Sequence, residues 1–196
     1  LVLFAPCASP ATFPNLGDVT IEQVRMVFAD ADALGKRESA IAARPVTADG
    51  RLLGYVSLSH ELIAIPGYSG KPLAVLIGVD LEGRVAGAHI VYHEEPILVA
   101  GIQEAQLQDF VRQYQGKTAA AKVRVGAFHR EGYEGVDGIS GATITAMILN
   151  QSIMSAAKNV AARLELPRVA GAAAPAAAGD KAVDIPPWEY NWRDKF

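Results

Sequence analysis

The chain has one cysteine, Cys7, and that scarcity excludes an internal disulfide and any cysteine-rich zinc or iron–sulfur site. Its four histidines, His60, His89, His93 and His129, show neither HExxH nor another ligating spacing, so no protein-ligated metal is expected. Clusters of Lys and Arg are missing too. With 18 Lys and Arg against 21 Asp and Glu, and a net charge of −3, the chain lacks the electrostatic footprint of a nucleic-acid binder. No uncharged apolar run approaches the roughly 18 residues that a membrane-spanning helix needs.

At 196 residues one compact domain plus tails is expected. Leu1 to Ala5, followed by Pro6-Cys7-Ala8-Ser9, reads either as the end of a secretory signal with its cleavage region or as a disordered terminus, over 1–17. Thr20-Ile21-Glu22-Gln23 fits a capping box, and Ile21, Val24, Val27 and Phe28 follow at helical spacing, which predicts a short helix over 21–30. Asp49-Gly50 marks a turn. Residues 52–59, 73–79 and 85–92 are rich in apolar and β-branched side chains and read as strands. Asp80-Leu81-Glu82-Gly83 joins the last two in a way suited to an antiparallel hairpin. Helices are predicted over 103–114, with Leu107, Phe110, Val111 and Tyr114 on one face, and over 142–164, with Ile144, Met147, Ile148, Ile153 and Met154 inward. Together these elements predict an α+β domain over 18–166, a central antiparallel sheet with flanking helices. Residues 167–180 are mostly Ala, Gly and Pro with too little bulk to pack, and read as a linker. The tail 181–196 mixes Trp188, Tyr190, Trp192 and Phe196 with Arg193 and Lys195; it reads either as a juxtamembrane segment or as a segment packed back on the domain.

The chemistry concentrates in Asp137-Gly138-Ile139-Ser140-Gly141-Ala142-Thr143-Ile144-Thr145, where a glycine-rich loop runs into the last helix. Helix N-termini present unpaired N–H groups and partial positive charge, so this is a natural anion site, with phosphate the favoured ligand. The glycines at 135, 138 and 141 do not fit GxGxxG, and no Lys follows as in GxxxxGK, so neither a Rossmann fold nor a P-loop is supported. By spacing alone Ser140 is equally an ordinary helix cap.

Asp137 to Thr143 resembles the flavinylation motif D-x-x-S/T-G-A-T of the FMN-binding domains in the RnfG and NqrC redox-pump subunits and the NosR/NirI proteins. Gly67-Tyr68-Ser69-Gly70-Lys71-Pro72-Leu73, followed by Val79 to Val85, is similar to the family's GYxG opening and D-x-x-G hairpin. Tyr92-His93-Glu94-Glu95-Pro96-Ile97 stands where RnfG and NqrC have H-x-E-T-P-G, and its departure from that form resembles the NosR/NirI branch.

The resemblance implies an FMN joined through its phosphate to Thr143 by a flavin transferase of the ApbE type. Ser140, Gly141 and Ala142 would offer N–H groups to the phosphodiester, and Asp137 would be part of what the transferase recognises. Tyr68, His93 and Glu95 are the candidate ring contacts, with Tyr133 as an adjacent one; His89, inside a strand pattern, reads as structural. NosR-type proteins continue into membrane helices and a cytoplasmic iron–sulfur part. The implied setting is therefore extracytoplasmic, anchored to the membrane in the full-length protein. The implied function is flavin electron transfer to or from a membrane redox partner or the remainder of a NosR-type protein, serving nitrous oxide reductase, without substrate turnover by the domain itself. The rival is a sensory or regulatory ligand-binding domain with reversible flavin or none.

Overall fold

A computed structural model describes residues 13–96, 101–126 and 131–167. Residues 1–12 with Cys7, His129, nearly all of the expected linker and the whole aromatic tail lie outside the described residues.

The capping box forms as read: the Thr20 hydroxyl accepts from Gln23 N–H at 3.3 Å, and the Gln23 side chain accepts from Thr20 N–H at 3.0 Å. It starts α1 (Ile21–Arg25), which stops short of the expected residue 30. Beyond Arg25 the chain leaves the helix and lays Val27 and Phe28 on the sheet. That sheet has five strands in chain order, β1 (Ala33–Leu34), β2 (Arg44–Ala48), β3 (Arg51–Leu58), β4 (Ala74–Asp80) and β5 (Val85–Tyr92), every neighbour antiparallel. Asp49 and Gly50, both at positive φ, turn β2 into β3. In the β4–β5 hairpin the Asp80 carboxylate accepts from Glu82 N–H at 2.9 Å and Arg84 N–H at 2.8 Å. The strands at 73–79 and 85–92 are therefore antiparallel, as the four-residue connection requires.

Both faces of β4 are covered, because successive side chains point to opposite sides. Leu76 joins Val46, Val56 and Leu58 under Leu16, Val24, Val27 and Phe28 of the N-terminal segment. The seat for that segment is the cross-strand pair Gly78 and Gly87. A Cβ at Gly78 would stand 2.7 Å from the Phe28 ring, and one at Gly87 2.8 Å from Val27 Cα. On the other face Val75, Ile77 and Val79 pack against α3 (Glu104–Arg112) and α4 (Thr143–Arg163). Between β3 and β4 lies the one-turn α2 (Ser59–Leu62), whose buried Ser59 hydroxyl donates to Leu73 C=O and accepts from Val75 N–H, both at 3.1 Å. The edge of β5 is closed by Gln108 of α3, whose side-chain amide bonds the N–H and C=O of Ile90 at 3.2 and 3.0 Å, as a neighbouring peptide would.

Helix α4 differs from its expected phase. Its buried stripe is Ala146, Leu149, Ile153, Ala156, Ala157 and Val160, whose alanines bring the helix close to the sheet; Ile153 is inward as expected, whereas Ile148 and Met154 are only partly buried. Ile144 and Met147, expected inward, are 57% and 49% exposed. A short parallel pair, β6 (Val123–Val125) and β7 (Glu134–Val136), leads into the loop before α4. Among the described residues no helix is long and apolar enough to cross a membrane.

Candidate functional site

The loop from Asp137 to Thr143 alternates anchors with displayed residues. Val136, Ile139 and Ala142 are buried in the helix-side core, so Asp137, Ser140 and Thr143 are left exposed between them. Gln113, just after α3, fixes the loop's start: its side-chain amide accepts from Asp137 N–H at 2.7 Å and donates to Asp137 C=O at 3.4 Å. Gly141 makes the turn into α4 at φ +80°, a conformation that a Cβ disfavours.

Ser140 is not the cap that spacing allowed. The cap position is Ala142, two residues later, which has no side-chain oxygen to offer, so the first turn of a 21-residue helix begins uncapped. Thr143 sits first on that helix, exposed, and its hydroxyl makes no hydrogen bond among the described residues. Thr145 is the opposite case. It is buried, and its hydroxyl donates to Glu95 Oε2 at 2.8 Å.

These residues open onto a cleft of about 450 Å³ lined by Tyr68, Pro96, Ile102, Gly141, Ala142, Thr143, Ile144 and Thr145. Its size falls within the range of sites for small molecules and cofactors. No lining side chain is charged, so an anion there would be met by N–H groups and the helix dipole. Tyr68 is 69% exposed, and with Ile144 it offers flat or branched apolar surface that none of the described residues covers.

The other candidates are placed around this cleft rather than in it. Glu95, only 6% exposed, accepts from Ser69 N–H at 3.1 Å with its second oxygen. His93 does not line the cleft: its Nδ1 accepts from Glu95 N–H at 3.2 Å, and its Nε2 meets Glu104 Oε2 at 2.7 Å. Tyr133 stands beside Lys122 and Arg124, whose cationic groups lie 5.9 and 5.8 Å from its ring centre, also outside the lining set. On the rim, Lys71 Nζ stands 2.6 Å from Glu94, and the hydrogen bond from Lys71 holds that carboxyl below its usual range. His89 lies half-buried on β5, as a structural residue would. Sequence reasoning missed Ile102, Ile144, Pro96 and Thr145 as lining residues. The run Thr143-Ile144-Thr145 was the available signal for two of them.

Every residue that lines the cleft falls within 67–158, the stretch that matches the FMN-binding domain family. The chain carries an FMN-binding domain and is homologous to NosR and NirI proteins. It is 33% identical over 176 residues to the regulatory protein NosR of Stutzerimonas stutzeri, covering 89% of this chain and 24% of that protein. Against NosR of Pseudomonas aeruginosa it is 34% identical over 166 residues, 85% and 23% of the two, and against NirI of Paracoccus denitrificans 35% over 128 residues, 65% and 18%. The chain thus spans about a quarter of the length of the NosR relatives it matches. A solved structure, NqrC of Shewanella oneidensis, aligns at a TM-score of 0.42 and 19% identity over 65% of each chain.

The residues present fit FMN. The uncapped helix start can take the phosphate, Thr143 places a hydroxyl beside it, and the exposed faces of Tyr68 and Ile144 can bound a planar ring.

Proposed function

We propose that the chain is a flavin electron-transfer domain holding FMN through a phosphoester to Thr143. The observation that carries the reading is the contrast within one helical turn. Two threonines line the cleft, but Glu95 takes the hydroxyl of Thr145 and leaves that of Thr143 exposed at the uncapped helix start. FMN, when bound, supplies one- and two-electron redox chemistry that side chains lack. The chain's part is to hold the phosphate with the N–H groups of the first turn, to bound the ring with Tyr68, Ile102 and Ile144, and to keep the site joined to the sheet.

No general base stands within hydrogen-bond reach of the Thr143 hydroxyl among the described residues, which favours attachment by an external flavin transferase of the ApbE type. Asp137 presents its carboxylate outward while Gln113 holds its backbone, as a recognition residue would. Ser140, Gly141 and Ala142 shape the turn that presents Thr143, and His93 supports the loop that bears Glu95. The kinship with NosR and NirI supports the wider setting of this reading: an extracytoplasmic domain of a membrane-anchored protein, exchanging electrons with a membrane partner in service of nitrous oxide reduction.

The test is co-expression with a flavin transferase, read by flavin fluorescence on denaturing gels and by intact mass. Thr143→Val keeps the β-branched shape and removes the acceptor oxygen, so covalent flavin should vanish with the fold intact, whereas Thr145→Val should retain it. Covalent flavin retained in Thr143→Val would put the attachment on another residue, and wild-type flavin that is released on denaturation would favour a reversibly held ligand.

A further inference from the structure

We infer that Glu95 is a positioning residue, a clasp that holds the two walls of the cleft at a fixed separation. Each of its carboxylate oxygens goes to a different wall. One accepts from Ser69 N–H at 3.1 Å, next to Tyr68 on the loop after α2; the other accepts from the Thr145 hydroxyl at 2.8 Å, in the first turn of α4. The loop must come very close for this. A Cβ at Gly67 would lie 2.3 Å from Glu95 Oε1, so only glycine at 67 lets the carboxylate reach Ser69.

The clasp is itself braced. Glu95 N–H donates to His93 Nδ1 at 3.2 Å, which puts the ring proton of neutral His93 on Nε2, where it donates to Glu104 at the start of α3. Glu95 and His93 thereby tie four segments together: the Tyr68 loop, the end of β5, α3 and α4.

The chemistry distinguishes a clasp from a charge. No ion pair within the described residues involves Glu95; its two partners are neutral donors, and the positive end of α4 adds to them. Glutamine can reproduce both arms, since its carbonyl accepts from Ser69 and its amide donates to a Thr145 hydroxyl turned to accept. Alanine reproduces neither. What Glu95 supplies is therefore the spacing between the Tyr68 ring and the helix that bears Thr143, and through that spacing the environment of the flavin ring. This last step rests on the reading of Thr143 given above.

The experiment has one arm without flavin and one with it. In the full chain made without a transferase, amide hydrogen exchange at Ser69 should accelerate about tenfold or more in Glu95→Ala and stay near wild type in Glu95→Gln. Val75, whose N–H donates to the buried Ser59 hydroxyl, should be unchanged in both and so marks opening beyond the cleft. Equal Ser69 rates in wild type and Glu95→Ala, or equal acceleration in Glu95→Gln and Glu95→Ala, would overturn the clasp. In the flavin-loaded protein, Thr145→Val should shift the flavin absorption band and midpoint potential, and Thr145→Ser should restore both; no shift in Thr145→Val would overturn the link to the ring. A wild type that takes up no flavin would refute the Thr143 reading and leave the exchange arm to decide the clasp.

Discussion

The two faces of the sheet are built from the same strands and finished differently. On the N-terminal face, Val27 and Phe28 sit directly on Gly78 and Gly87 with no room for a β-carbon, and Phe28 is only 8% exposed. On the helix face the core is equally dry beneath α4, yet at the start of that helix Tyr68 and Ile144 remain open and the first turn has no cap. One face is closed; the other leaves apolar surface and backbone donors open at the cleft. If the division is real, damage to each face should produce a different kind of failure.

Phe28→Ala should give the largest loss of stability, about 3–5 kcal/mol, from an emptied site that glycines cannot fill. Chemical denaturation would read it, and flavin content per folded molecule should stay at the wild-type level. Reduced loading in the folded fraction would show that the two faces are coupled. On the helix face, Gly141→Ala meets only ordinary contact, with Ile102 at 3.8 Å. It strains the φ +80° turn by about 1 kcal/mol. Its larger consequence should be lower flavin attachment, because the turn presents Thr143. Ser140→Ala is the control beside it: with the cap at Ala142, stability should change by no more than about 0.5 kcal/mol.

The smallest effect concerns pH. Burial lowers the pKa of His60, against the opposing influence of Glu61 and the Pro14 backbone. Burial, aided by Arg112 and opposed by Glu104 and Gln108, also lowers that of His89. A depressed folded-state value means that the unfolded chain binds protons first, so stability is complete above the ordinary imidazole value near 6.5 and declines as pH falls below it. Melting temperature between pH 8 and pH 5 should follow that course, and His60→Phe, which keeps the edge-on ring packing against Phe13, should flatten it.

How much of this was legible in the sequence depended on range. The capping box at Thr20 and the hairpin at Asp80 rest on residues three or four apart, and both formed as read. The phase of α4 was misread because alanine contributes little to a hydrophobic pattern. The closest packing against the sheet nevertheless needs alanine, so the bulky Ile144 and Met147 ended outside. The pair β6 and β7 escaped notice because three-residue strands have too few side chains to show a period. That Thr143 stands where the loop enters the last helix was readable from the sequence. The state of its neighbour was not, because the Glu95–Thr145 bond spans 50 positions and only the fold brings its ends together.

That bond and the open hydroxyl two residues before it make the central claim measurable in the unaltered protein. The wild-type chain, co-expressed with a flavin transferase, would be digested and its flavin-bearing peptide fragmented to locate the adduct. The account predicts FMN phosphate on Thr143 and none on Ser140 or Thr145; an adduct on either of those, or a loaded protein whose flavin is released on denaturation, would contradict it.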